Sequence, residues 1–269
     1  MKIGYCVNML SGKPDGTGLE NIELIKKAGY DYIEMPMAQV YDLTPQEQRE
    51  YAKTIRENGL SCEVCNNFLP ARIRLTGENI TEDTELFSYL NKAFEIADIF
   101  GISVFVVGSP KSRNIPADFP YDIAIEQMID FYTKLSDIMP DGKVAVIEPI
   151  CAKETNIILS VSEGLSIVKL VNRDNIKVLA DYYHMQNENE NESIIMDAGN
   201  KFLKHVHISP LGTRKLPLNA DENMKSFLIS LLRIKYNDRI SVEAYSDISE
   251  DVLTSAVLDI KETLASFDA

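Results

Sequence analysis

The 269 residues include 41 acidic and 27 basic side chains, for a formal charge of −14, and 45% are hydrophobic. That balance suits a water-exposed fold with a sizeable core, and the negative charge repels a phosphate backbone, so nucleic acid is not an expected partner. No apolar run approaches the ~18 residues a membrane span needs, and four scattered cysteines do not make a disulfide scaffold.

The opening KIGYCV reads as a strand. It lacks the long apolar stretch and small-residue cleavage site of an export signal, which makes the cytoplasm the expected location. The chain then alternates between helical period and β-rich runs. GLENIELIKKAG is followed by YDYIEM and TPQEQREYAKTIRENG, then by LSCEVCN and TELFSYLNKAFEIADIFG, then by ISVFVVG and FPYDIAIEQMIDFYTKLSDIM. The second half repeats the pattern with KVAVIE and SVSEGLSIVKLVN, IKVLAD and ESIIMDAGN, FLKHVHI and DENMKSFLISLLRIK, and RISVEA and SEDVLTSAVLDIKETLASF.

Val/Ile runs such as VAVIE and SVFVVG indicate strands buried on both faces, as parallel sheets under helices require. Eight strand–helix units in about 250 residues predict an α/β fold, a (β/α)8 TIM barrel. A doubly wound open sheet is the alternative. No Pro/Gly/Ser linker or composition shift divides the chain, so residues 1–269 read as one domain. QNENENES reads as a short polar loop. Cys62 and Cys65 in SCEVCNN have zinc-knuckle spacing, but residues three apart on a strand face opposite sides, so no metal is expected there.

The ends of strands five to eight are unusually polar. KVAVIE ends in Glu148, KVLAD in Asp181, HVH in His207 and ISVE in Glu243. Strand alternation puts Val146 with Glu148, Leu179 with Asp181, His205 with His207 and Ser241 with Glu243 on one face. If that face lines the lumen, all four end residues meet at the carboxyl mouth, where barrels of this kind do their chemistry. Three crowded carboxylates repel one another unless a divalent cation turns the repulsion into coordination. One imidazole with three carboxylates is a hard set that favours Mn2+ or Mg2+, with Mn2+ the first expectation and Co2+, Ni2+ or Zn2+ able to compete in vitro. His205, one pleat deeper, reads as a support for His207 rather than a ligand. Glu34, ending YDYIE on strand two, is expected at the same mouth, free to bind a substrate hydroxyl or standing as a plain loop acid.

IEPICAKETN, VLADYYHM, KHVHIS followed by Arg214 and Pro217, and RISVEA together resemble the sugar phosphate isomerase/epimerase superfamily, the xylose-isomerase-like barrels that include the tagatose and psicose 3-epimerases. The resemblance implies that Glu148, Asp181, His207 and Glu243 hold a metal, that Glu148 and Glu243 are also the acid/base pair, and that His184, Arg214 and Glu154 contact the sugar. It implies ketose 3-epimerisation, in which two opposed glutamates move a proton through a metal-stabilised enediolate.

Departures from that pattern concern substrate contacts. Cys151, Ala152 and Lys153 stand where such epimerases usually carry Asn-Arg and an aromatic, and the chain has no tryptophan to stack on a sugar, which suits a different or larger ligand. Aldose–ketose isomerisation, inosose dehydration or another enolate-forming lyase reaction on the same site remain alternatives, as does a catalytically silent sugar-binding subunit. The oligomeric state stays open, with a homo-oligomer among the readings. No G-x-x-x-x-G-K-[ST] loop, G-x-G-x-x-G turn or G-x-S-x-G elbow is present. The segment AYSDISED after strand eight has three acids and no glycine, which argues against a sugar phosphate.

Overall fold

The computed structural model describes residues 1–212, 214–246 and 249–267, so Asp247 and Ile248 of the AYSDISED segment lie outside the described residues. Eight parallel strands close into a barrel in chain order. They are β1 Lys2–Cys6, β2 Tyr32–Pro36, β3 Ser61–Asn66, β4 Val104–Val107, β5 Val144–Ile147, β6 Ile176–Asp181, β7 Leu203–Ile208 and β8 Arg239–Val242. Closure runs through β1 and β8, where Gly4 is in register with Ser241.

Each strand is followed by an outer helix: α1 Ile22–Lys27, α2 Pro45–Glu57, α3 Asp83–Phe100, α4 Tyr121–Ile138, α5 Val161–Val171, α6 Ser193–Phe202, α7 Glu222–Arg233 and α8 Glu250–Phe267. Their starts follow from local chemistry. Thr44 and Glu47 form a reciprocal capping box at α2 with Pro45 in its first turn, and Asp221 accepts from the Met224 amide at α7. On α3 the buried positions Leu86, Leu90, Ala93, Phe94, Ala97 and Phe100 follow the 3.6-residue period and press that face on the barrel wall. No helix among the described residues is long and apolar enough to cross a membrane.

The lumen is stacked in layers. Lys2 and Arg239 both pair with Glu63 at the lower end. Above them Tyr32, Val64, Val104, Val106, Val146 and Leu179 form a separate apolar plug. The Tyr32 ring fits only because Gly4 lies beneath it, since a Cβ on Gly4 would stand 2.3 Å from the ring. One pleat higher the lumen turns polar, with Glu34, His205 and Ser241 completely buried.

Cys62 and Cys65 correct an expectation. Both pack in the outer core rather than on opposite faces. The pairing of β2 with β3 shifts between Ile33 and Glu34, and such an irregularity breaks the strict alternation on which that expectation rested. Both thiols are free and buried.

Candidate active site

The four strand-end residues converge. One donor atom from each of Glu148, Asp181, His207 and Glu243 lies within 4.8 Å of all the others. In the register His207 stands beside Asp181 on β6 and Ser241 on β8, while Glu148 and Glu243 sit one residue past the ends of β5 and β8. His207 Nδ1 is 3.1 Å from Glu148 Oε1, 3.1 Å from Glu243 Oε2 and 4.0 Å from Asp181 Oδ2.

A buried network beneath fixes which way that imidazole faces. His207 Nε2 donates to Glu34 Oε1 at 3.0 Å, while Glu34 Oε2 accepts from His205 Nε2 at 2.8 Å and from Ser241 Oγ at 2.6 Å. Because the Ser241 proton is spent on Glu34, the Tyr32 hydroxyl, 2.7 Å away, donates to Ser241. Burial raises the Glu34 carboxyl, but His207 and His205 outweigh it and bring it down to about 2, so Glu34 stays an acceptor on both oxygens. With Nε2–H committed to a carboxylate, Nδ1 is the nitrogen left to face the three acids.

The placement of Glu34 therefore differs from the expectation of an open mouth. It is completely buried, with both oxygens occupied beneath His207. The strand continues through Met35 and Pro36 before it ends, which leaves Glu34 one pleat too deep for a free rim position.

The three acids are held differently. Asp181 splits its work: Oδ1 caps the short helix Tyr182–Asn187 through the Tyr183 amide at 2.7 Å, and Oδ2 points into the cluster. Burial pushes its carboxyl up to about 7, with the Glu243 charge adding to the rise and Arg214 opposing it. Burial also raises Glu148, which His207 partly offsets. Glu243 goes the other way, because Arg214 and His207 outweigh the burial that would raise it. His207, although buried, is held well above its usual value by Glu34 and Glu243. A buried set that gathers this much negative charge around one imidazole fits a divalent cation, which would take the place of the proton on Nδ1 and neutralise the acids together.

The remaining expected residues flank this cluster. Arg214 Nη2 bonds Glu243 and lies 3.4 Å from Asp181 Oδ2, and Nη1 lies 3.6 Å from Glu154 Oε1. Its guanidinium stacks over the Tyr183 ring, 4.9 Å from the centroid. His184 Nδ1 accepts the Cys151 amide at 3.2 Å, and Nε2 lies 3.6 Å from Asp181 Oδ2. Burial, reinforced by Arg214, lowers His184 to about 3, so it is neutral. With Nδ1 taken as an acceptor, its single N–H is on Nε2 and faces the cluster. Glu154 is the outermost of the group, and its side chain is 38% exposed.

Other residues at the site were not singled out from the sequence. Gly108, just after β4, leaves the space that the Glu148 carboxylate fills: a Cβ there would stand 1.7 Å from Oε2. Arg113, wholly buried, donates Nη1 to the Glu148 carbonyl at 2.8 Å and to the Val107 carbonyl at 3.4 Å, holding the chain behind that glutamate. Tyr32 belongs to the network under His207. Alternation within YDYIE was the available signal for Tyr32, whereas nothing local marks Gly108 or Arg113, whose roles depend on contacts across strands.

Comparison with known proteins agrees with the barrel fold. The chain is 26% identical over 250 residues to an L-ribulose 3-epimerase from Methylomonas sp., covering 88% of this chain and 82% of that one. It is 21% identical over 232 residues to a D-psicose 3-epimerase from Agrobacterium fabrum, covering 83% and 78%. The crystal structure of a D-allulose 3-epimerase from Methylomonas sp. in complex with D-allulose superposes with a TM-score of 0.82 at 22% identity, over 98% of this chain and 97% of that one. The family model of the xylose isomerase-like TIM barrel matches residues 22–267, and the chain belongs to that family.

Proposed function

We propose that this chain is an isomerase-class enzyme, a divalent-metal-dependent ketose 3-epimerase acting on unphosphorylated sugars. The observation that carries the reading is the pair Glu148 and Glu243, each 3.1 Å from the same imidazole nitrogen, within one buried four-residue donor set. Relatives named as 3-epimerases of psicose and ribulose support it.

Glu148, Asp181, His207 through Nδ1, and Glu243 would hold the cation, with Mn2+ the first expectation from three carboxylates and one imidazole. When bound it supplies Lewis acidity toward the sugar's carbonyl and adjacent hydroxyl oxygens. The two glutamates then share the proton work. One removes the proton from C3, beside the C2 carbonyl, and the other delivers a proton to the opposite face. Negative charge that builds on the oxygens between these steps faces Arg214 and the Nε2–H of neutral His184, both fixed before substrate arrives. Glu34 serves His207 rather than the sugar, and Glu154 steadies Arg214 from the outer side.

The test is incubation of the Mn2+-loaded protein with fructose, tagatose and ribulose in deuterium oxide. The expected result is the C3 epimer on carbohydrate chromatography with deuterium at C3. Aldose products labelled at C2, the former ketose carbonyl carbon, would replace epimerisation by isomerisation, and absence of label from all three sugars would remove the enzyme reading.

A further inference from the structure

The mouth over β1–β4 carries a cleft of about 970 Å3 whose lining includes none of Glu148, Asp181, His207 and Glu243. It joins them at two points. Glu154 lines the cleft and pairs with Arg214, and Ser109 lines it next to Gly108, the residue against which Glu148 rests. The cleft is thus space additional to the place where the reacting carbons would lie.

Its size exceeds what one ketose fills. At ~30 Å3 per water the volume corresponds to roughly thirty water molecules, and it stands at the upper end of the ~300–1,000 Å3 range of small-molecule pockets. A ketohexose has about twelve heavy atoms, several of which would occupy the space over the metal ligands rather than the cleft.

The lining also limits the chemistry of an occupant. Among the described residues it contains one base, Lys111, against three acids, Asp15, Asp42 and Glu154. Lys111, Asp15 and Asp42 are exposed, so the cleft does not present an anion with a concentrated positive field. Amide groups of Gln39, Asn67 and Asn114 alternate with the small apolar surfaces of Ala38 and Ala71. That mixture complements a pyranose, which offers hydroxyls at its edge and C–H groups on its faces.

Resting on the epimerase reading, we infer that the site takes a ketose bearing a second, neutral sugar unit, with the ketose over the four-residue centre and the glycosyl group in the β1–β4 cleft.

The test compares kcat/KM of the Mn2+-loaded protein on fructose, 6-O-α-glucosyl-fructose and 1-O-α-glucosyl-fructose, with calorimetric binding of each sugar measured in parallel. Both linked sugars leave C2 and C3 free to react. The expected result is at least a tenfold higher kcat/KM for one linked sugar than for fructose. In the Ala71→Trp variant, which fills the cleft, the linked-to-free ratio should fall at least tenfold. Epimerisation of fructose with both linked sugars poorer, or a ratio unmoved by Ala71→Trp, overturns the inference and leaves the epimerase reading standing. If no sugar is turned over, tenfold tighter binding of a linked sugar upholds the cleft and discards epimerisation, while equal or weaker binding discards both.

Discussion

Over β5–β8 the barrel mouth is made of side chains at strand ends, and over β1–β4 it is made of loops. The first half gathers three carboxylates, an imidazole and a guanidinium into one buried cluster whose members are oriented by backbone amides and by Glu34. The second half is an open cleft of amides, small apolar groups and a few exposed charges. Strand ends are fixed to within a fraction of an ångström by the sheet, which is what proton transfer needs. Loops set size and polarity, which is what recognition needs. On the proposed reading, reaction and substrate choice are separately adjustable, and the following perturbations should fall on one half or the other.

The largest effect should come from the metal. Chelation should abolish epimerisation and added Mn2+ should restore it, while His207→Ala should leave no stoichiometric metal by elemental analysis. Full activity in a metal-free preparation would remove the centre from the mechanism. Affinity should also depend on pH with a definite sign. Without metal, His207 is held protonated well above its usual value and Asp181 titrates at about 7, so protons compete with the cation. Metal affinity should therefore rise as pH increases through about 7 and fall below it, as isothermal titration across pH 6–8 would record.

Next comes Glu243→Gln. The amide keeps the size and the Arg214 neighbour but cannot take a proton, so kcat should fall by ~10²- to 10⁴-fold while fructose binding persists. A kcat within tenfold of the parent would reject Glu243 as half of the proton-transfer pair.

How much of this was legible follows the same division. Eight strands and the convergence of Glu148, Asp181, His207 and Glu243 were readable because each ends a run of strand period, and in a parallel barrel the ends of neighbouring strands must meet. Glu34 was readable as a lumen residue but not in its depth, which depends on how far β2 continues beyond it and on the stagger between strands. The opposite-face expectation for Cys62 and Cys65 failed because a shift in pairing is not written in the alternation. The cleft was not legible in its shape, because loop conformation arises from contacts between segments distant in sequence, such as Arg74 with the carbonyl of Asn114 and Gln127 with Gly77.

Gly108→Ala probes whether the β1–β4 half merely recognises. Gly108 follows β4, yet its missing side chain is the space in which the Glu148 carboxylate lies. An added methyl forces that carboxylate to swing aside, and a displacement of about 1 Å at a reacting group costs up to roughly 10²-fold. The expected loss is in kcat, with the overall fold retained by circular dichroism. Unchanged kcat would mean that Glu148 has room to work from another rotamer.

The smallest effect, and the finest test of how the two halves are joined, is Glu34→Gln. Glu34 comes from β2 in the cleft half but acts on β7 in the reactive half. As a carboxylate it accepts three donors at once, from His207, His205 and Ser241. Glutamine offers one acceptor oxygen and an NH2 that must meet a donor. If the NH2 faces His207, the imidazole is relieved only by moving its own proton to Nδ1, the nitrogen that faces Glu148 and Glu243. The tautomer that can ligate is then lost without any change at the ligand itself. Supporting carboxylates of this kind are worth ~10- to 100-fold in metal affinity, so the variant should bind Mn2+ more weakly by that factor in competition with a chelator. Excess Mn2+ should recover most of its kcat, since Glu148 and Glu243 are untouched. An unaltered Mn2+ affinity would show that β7 alone orients His207, leaving Gly108 and Arg113 behind Glu148 as the contacts through which the β1–β4 half acts on the cluster.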